Sequence, residues 1–217
     1  VARRGFVTTG LNHLHQPWSI PSATGQNAVV PTHIALLRGI NVGGHNKVAM
    51  ADLRQVVASL GHTDVATYIQ SGNVVFTTEK RDTAVLATAL ERAIAETLGV
   101  RPRVRVLSRD ELARVIADNP YPDEPNPKLV HAIFLSEDPG PVLVEAITAA
   151  QRQAAQKGGR DTAQVVGRTL FLHTPDGYGR SELAALLARS GSGKSVGAAG
   201  TARNWATVTK LHALCDT

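Results

Sequence analysis

The sequence predicts an α+β fold of two related subdomains. Each has βαββαβ (ferredoxin-like) character, with mainly antiparallel sheets packed with helices. Three observations point there. Residues 33–108 read as strand, helix, hairpin, helix, strand. The second half repeats that grammar more loosely, in element order alone, since its residues match the first half poorly. Between the halves, four prolines fall within residues 120–127, a stiff and extended connection. The expected division is a flexible extension over 1–31, a first α+β subdomain over 32–118, a proline-rich connection over 119–128 and a second α+β subdomain over 129–217.

Each element has a local reason. "HIALL" is a short apolar run ending at Arg38, the pattern of a buried strand. "MADLRQVVASLG" puts Met50, Leu53, Val56, Val57 and Leu60 on one helical face, and Gly61 stops it. "ATYIQSGNVVFTT" reads as two strands around Ser71-Gly72-Asn73, residues suited to a tight turn. A second amphipathic helix carries Leu86, Leu90, Ala93 and Ile94 and closes at Gly99. "RPRVRVLS" alternates as a half-exposed strand, and Ser108 with Glu111 forms a capping box for a short helix. In the second half, "KLVHAIFLS" reads as a strand and Pro141 opens a helix. "AQVVGRTLFLH" is a hairpin turning at Gly167-Arg168, and "SELAALLAR" is a helix. "TARNWATVTKLHAL" reads as the final helix, with Trp205, Val208 and Leu211 aligned.

Composition removes several classes of function. The chain has 217 residues, 43% apolar and 19% charged, as soluble globular proteins do. Aromatic residues are only 4%, which argues against a platform that stacks bases on many rings. Residues 1–31 hold two basic residues and no acid. The rest sets 21 Lys and Arg against 18 Asp and Glu, a small excess for a dedicated DNA binder. The single cysteine, Cys215, allows neither an internal disulfide nor a cysteine zinc site. A cytoplasmic location is expected, and no apolar stretch reaches the length of a membrane span. The first 31 residues lack the apolar core of a secretory signal, and "HLH" at residues 13–15 has no third metal ligand.

Two glycine-rich segments invite an anion-binding reading. "SGSGKS" at 190–195 has the Gly-Lys-Ser end of a phosphate loop. Ala188 stands where the earlier glycine is needed, and the segment follows a helix instead of a strand, so a Gly/Ser linker explains it better. "RGINVGGHNK", residues 38–47, is the stronger candidate. Gly39, Gly43 and Gly44 free the backbone to approach a ligand, Lys47 and the following helix start add positive potential, and Arg38 suits a phosphate or carboxylate. The alternative is a plain strand-to-helix turn with Arg38 paired inside the fold. "YIQSGNVVF" carries Gln70, Ser71 and Asn73 at a hairpin tip, and "TARNWATVTK" sets Arg203, Asn204, Thr207 and Lys210 around a helix start. No metal-ligand spacing, catalytic triad or carboxylate pair stands out, so no catalytic residue and no cofactor is named.

"LLRGINVGGHNKVAMADLR", "TYIQSGNVVF" and "TARNWATVTKL" together resemble the signature blocks of the bacterial domain of unknown function 1697 family, in family order over about residues 32–214. The resemblance implies two related α+β subdomains and no established activity. It draws attention to Arg38, Asn41, Gly43, Gly44, Asn46, Lys47, Ser71, Gly72, Asn73, Arg203, Asn204 and Lys210. The expected partner is a small phosphate- or carboxylate-bearing anion, such as a nucleotide, held where the three blocks converge. Two other readings stay open. One is single-stranded nucleic-acid or RNA binding on the sheet, for which Tyr68 and Phe76 are the available rings. The other is a protein-interaction adaptor.

Overall fold

The computed structural model describes residues 31–189 and 200–216. The expected N-terminal extension and the Gly/Ser segment before Gly200 lie outside the described residues. The first half contains β1 (His33–Arg38), α1 (Met50–Ser59), β2 (Thr63–Tyr68), β3 (Asn73–Thr77), α2 (Thr83–Leu98), β4 (Arg103–Ser108) and α3 (Arg109–Ala117). The second contains β5 (Val130–Leu135), α4 (Pro141–Gln156), β6 (Thr162–Val166), β7 (Thr169–His173), α5 (Glu182–Arg189), β8 (Gly200–Asn204) and α6 (Trp205–Leu214). Each half forms a four-stranded antiparallel sheet, in the orders β2-β3-β1-β4 and β6-β7-β5-β8. The second order is the first repeated, with β5 in the place of β1 and β8 in the place of β4. Both are α+β units of the split βαβ kind.

Helix ends follow local chemistry. The Asp82 side chain accepts from Ala84 and Val85 N–H at the start of α2, and Gly99 ends that helix at φ 68°. Ser108 and Glu111 make the reciprocal capping box of α3. Pro141 opens α4 at a position where its missing N–H costs nothing.

Three apolar clusters hold these layers together. Ala35, Leu37, Val74, Phe76 and Val106 face α1 and α2. Ile133, Leu135, Leu170 and Leu172 face α4 and α5. Between the sheets lies a third cluster, where Ile34, Leu36 and Leu107 meet Ala132 and Phe134, filled in by Leu112 of α3 and Val208 and Leu211 of α6. Consecutive residues of β1 therefore enter different cores, which is why "IALL" is apolar throughout instead of alternating. Cys215 is buried in the same layer, and burial pushes its thiol up to about 11, well away from a reactive thiolate.

Two expectations need correcting. β4 was expected to keep one solvated face, yet Leu107 is buried and Arg105 is half-buried, because the second half covers that face. Residues 201–204 were expected to belong to the final helix, yet with Gly200 they form β8. Its backbone pairs with the open edge of β5, Ala132 opposite Arg203 and His131 opposite Asn204. Asn204 then accepts from Thr207 N–H, so α6 begins only at Trp205. The connection between the halves is tied to the second sheet: Glu124 meets His173 at 2.7 Å, and the Tyr121 ring lies 5.1 Å from that imidazole.

Candidate functional site

The opening loop runs from the end of β1 to the start of α1 and is braced by its two asparagines. Asn41 and Asn46 sit at φ 53° and 49°, a left-handed conformation that asparagine tolerates better than most residues. The Asn41 side chain accepts from Val48 N–H at 2.9 Å and donates to Val48 O at 3.0 Å and Gln70 O at 2.9 Å. Asn46 Nδ2 donates to Gly39 O at 2.7 Å, and the Asn41 N–H donates to Asn46 O at 3.0 Å. These bonds close the loop on itself and fasten it to the β2–β3 turn.

That turn, Ile69–Gly72, is the second wall. Asn73 is fully buried and donates to Tyr68 O at 3.0 Å and Ser71 Oγ at 2.9 Å. Ile69 is held at φ 49°. A β-branched side chain in this region is strained by about 1–3 kcal/mol, and Ile69 is also 51% exposed.

The third wall comes from the other half of the chain. Arg203, on β8, drives its guanidinium into the first half. Nε donates to Asn73 Oδ1, and Nη2 donates to Leu37 O at 2.7 Å, Ser71 O at 2.9 Å and Gly72 O at 3.3 Å. Nη1 donates to Ala202 O at 2.8 Å. No carboxylate among the described residues pairs with it. Burial lowers its pKa to about 10, so the group is still cationic at neutral pH. Arg38 also crosses between the halves, with Nη1 donating to Gly200 O at 3.2 Å.

Where these walls meet lies a groove of about 540 Å³. Arg38, Asn41, Ser71 and Arg203 of the expected residues line it, so all three sequence blocks reach one place. Gly43, Gly44, Asn46 and Lys47 lie farther out on the exposed part of the loop and do not line it. Asn73 stands behind the wall and orients Arg203, Asn204 caps α6, and Lys210 is exposed on that helix. Gly39 and Gln70, also singled out in the sequence, line it too, whereas Ile133, Leu172, Leu187, Tyr178 and Ile69 were not anticipated. These side chains come from separate elements and carry no shared motif. Only the strand and helix periodicity that puts Ile133 and Leu187 on the inner face of their elements bears on them in the sequence. None of the described lining residues is an acid.

Behind Tyr178, His131 lies on the same face of β5 as Ile133, its ring 4.4 Å from the Tyr178 ring. Its Nδ1 is buried without a hydrogen-bond partner, and burial lowers its pKa to about 4. The unfolded chain therefore binds a proton at His131 below about pH 6.5 that the folded chain refuses until about pH 4. Stability should fall as pH drops through that window. Urea titrations of the His131→Leu variant should show a shallower loss over the same range, and equal slopes would remove His131 as a cause.

Among the described residues no group of three or more His, Cys, Asp or Glu side chains is placed to hold a metal. No described helix is long and apolar enough to cross a membrane. Phe76 is fully buried against His62, with ring centroids 4.8 Å apart, and Tyr68 packs on the central core, so these two rings form no open stacking surface.

The architecture has a solved counterpart. A conserved bacterial protein, SP0830 from Streptococcus pneumoniae, is similar with a TM-score of 0.63 and 25% identity, over 86% of this chain and 99% of that one. No curated protein matches the chain. The sequence block that contains Arg203 lies beyond the stretch that the family model covers. That model, described as a protein of unknown function (DUF1697), matches residues 30–171, and on that match the chain belongs to this family.

Proposed function

We propose that the protein binds a small anionic ligand, bearing a phosphate or a carboxylate, in the groove between its two halves. The observation that carries this reading is the charge of the wall: Arg38 and Arg203 both line the groove, and no described lining residue is an acid. A concave site with a few convergent polar groups is the usual form of a small-molecule site, and its volume fits one. The two arginines differ in task. Arg203 gives its N–H groups to carbonyls and Asn73, so it contributes positive potential more than direct contacts. Arg38 and the Ser71 hydroxyl line the groove and would meet the anion, Arg38 beside its bond to the Gly200 carbonyl. Asn41 and Asn46 keep the loop in shape before the ligand arrives, which lowers the entropic cost of binding.

The test is thermal unfolding against inorganic phosphate, nucleotides, sugar phosphates and simple carboxylates at low salt. A ligand at a hundred times its dissociation constant should stabilise the protein by about 2.7 kcal/mol. Arg38→Gln removes the charge and keeps a side-chain N–H donor, so it should lose the shift, and its melting temperature without ligand checks that it folds. A flat panel with intact folding would overturn the reading.

A further inference from the structure

The groove's walls are unequal in chemistry. Its polar groups come mainly from the opening loop, the β2–β3 turn and β8. The remainder of the second half adds Ile133, Leu172, Ala184 and Leu187 and the Tyr178 ring, and the lining as a whole is predominantly apolar. A sugar or a second phosphate would find few hydrogen-bonding partners on those side chains, and its own polar groups would lose water without replacement.

The rim is unusual in the same direction. Val42, Ile69 and Tyr178 are 66%, 51% and 43% exposed, half of the large apolar side chains exposed among the described residues. All three line this groove. Scattered exposed apolar residues need no explanation, but three at one concave site do. Ile69 adds a second reason, because it is exposed and also holds a strained backbone that asparagine or glycine would adopt more readily. The three side chains place hydrocarbon at the groove's mouth.

Resting on the anion reading above, we propose that the ligand is an amphiphilic anion: one carboxylate or phosphate head on a hydrocarbon body. The head sits at Arg38 and Ser71. The body lies against Val42, Ile69 and Tyr178 at the mouth, above a floor to which the buried side chains Ile133, Leu172 and Leu187 contribute. Recognition at the head is electrostatic, and discrimination among ligands comes from the length and shape of the body.

Calorimetric titration of the full chain with a straight-chain series, acetate, butanoate, hexanoate, octanoate and decanoate below their micelle concentrations, tests this directly. Inorganic phosphate, adenosine monophosphate and octanol serve as controls. Affinity should rise roughly fourfold for each methylene buried, until the groove is filled. Arg38→Gln should weaken every carboxylate. Ile69→Asn, which suits the left-handed backbone, should weaken octanoate about tenfold, leave acetate unchanged and not lower the melting temperature. If phosphate or adenosine monophosphate binds through Arg38 while affinity is flat along the series, the anion reading stands and the amphiphile is excluded. Octanol binding as tightly as octanoate would overturn both, and so would the absence of binding by every anion.

Discussion

Arg203→Ala should destabilise the protein by about 3 kcal/mol, the largest loss expected from any single side chain in the site. Arg203 joins the two halves through one guanidinium, which donates to Asn73 Oδ1 and to the carbonyls of Leu37, Ser71 and Gly72. Hydrogen bonds from a charged donor contribute about 1.5–3 kcal/mol each at most, and they are not additive here because the acceptors share one group. Truncation leaves those oxygens facing a cavity with fewer partners. For a chain of this size the loss corresponds to a fall in melting temperature of roughly 6–12 °C. Arg203→Lys should recover only part of it, since one ammonium cannot span the fork of acceptors. A double-mutant cycle with Asn73→Ala should give a coupling of about 1 kcal/mol or more. A loss below about 1 kcal/mol for Arg203→Ala would mean that water replaces the guanidinium and that the central core and the other links, Arg38 to Gly200 among them, hold the halves.

Gly72→Ala should cost about as much, for a different reason. Gly72 has φ 74°, and a Cβ there would stand 2.7 Å from Leu37 Cβ and 2.9 Å from Ile40 Cδ1. The first of these is the stem of a core side chain and cannot rotate away. Overpacking costs about 1–3 kcal/mol, and the left-handed backbone adds about 1–2 kcal/mol for a non-glycine residue. Gly39 isolates the second term: it has φ 84° with open space where a Cβ would stand, so Gly39→Ala should cost about 1–2 kcal/mol. Denaturant midpoints of the two variants separate the contributions. Equal losses would show that the β2–β3 turn shifts to admit the methyl group. Because Leu37 N–H donates to Gly72 O at 2.8 Å and Arg203 donates to the same oxygen, the turn is pinned from both sides.

Most of the fold was legible because its signals are local. The apolar face of α2, the turn at Gly167-Arg168 and the Ser108–Glu111 capping box each need only neighbouring residues, and each is where the sequence puts it. β8 was not legible. Its five residues have little apolar pattern, and they become a strand because β5 offers an unpaired edge. β4 was half legible, since its alternation is real but its outer face is covered by chain that comes later.

The site divides along the same line. Arg38, Ser71 and Arg203 stood out as polar residues in a glycine-rich loop, at a hairpin tip and at a helix start, and the family resemblance added Asn41. Turn-making and capping remained open as other roles. By itself the sequence determined two α+β units, their element order apart from β8, and the segments that carry the polar chemistry. Hydrogen-bonding and apolar periodicity act over a few residues, and they are written in order along the chain. Only the tertiary structure decided that Arg203 serves chiefly as a clamp, that Asn41 and Asn46 build the loop they sit in, and that Ile133, Leu172, Leu187 and Tyr178 complete the groove. Those outcomes depend on which surfaces meet when the sheets pack face to face, and contacts between residues more than a hundred positions apart leave no local pattern.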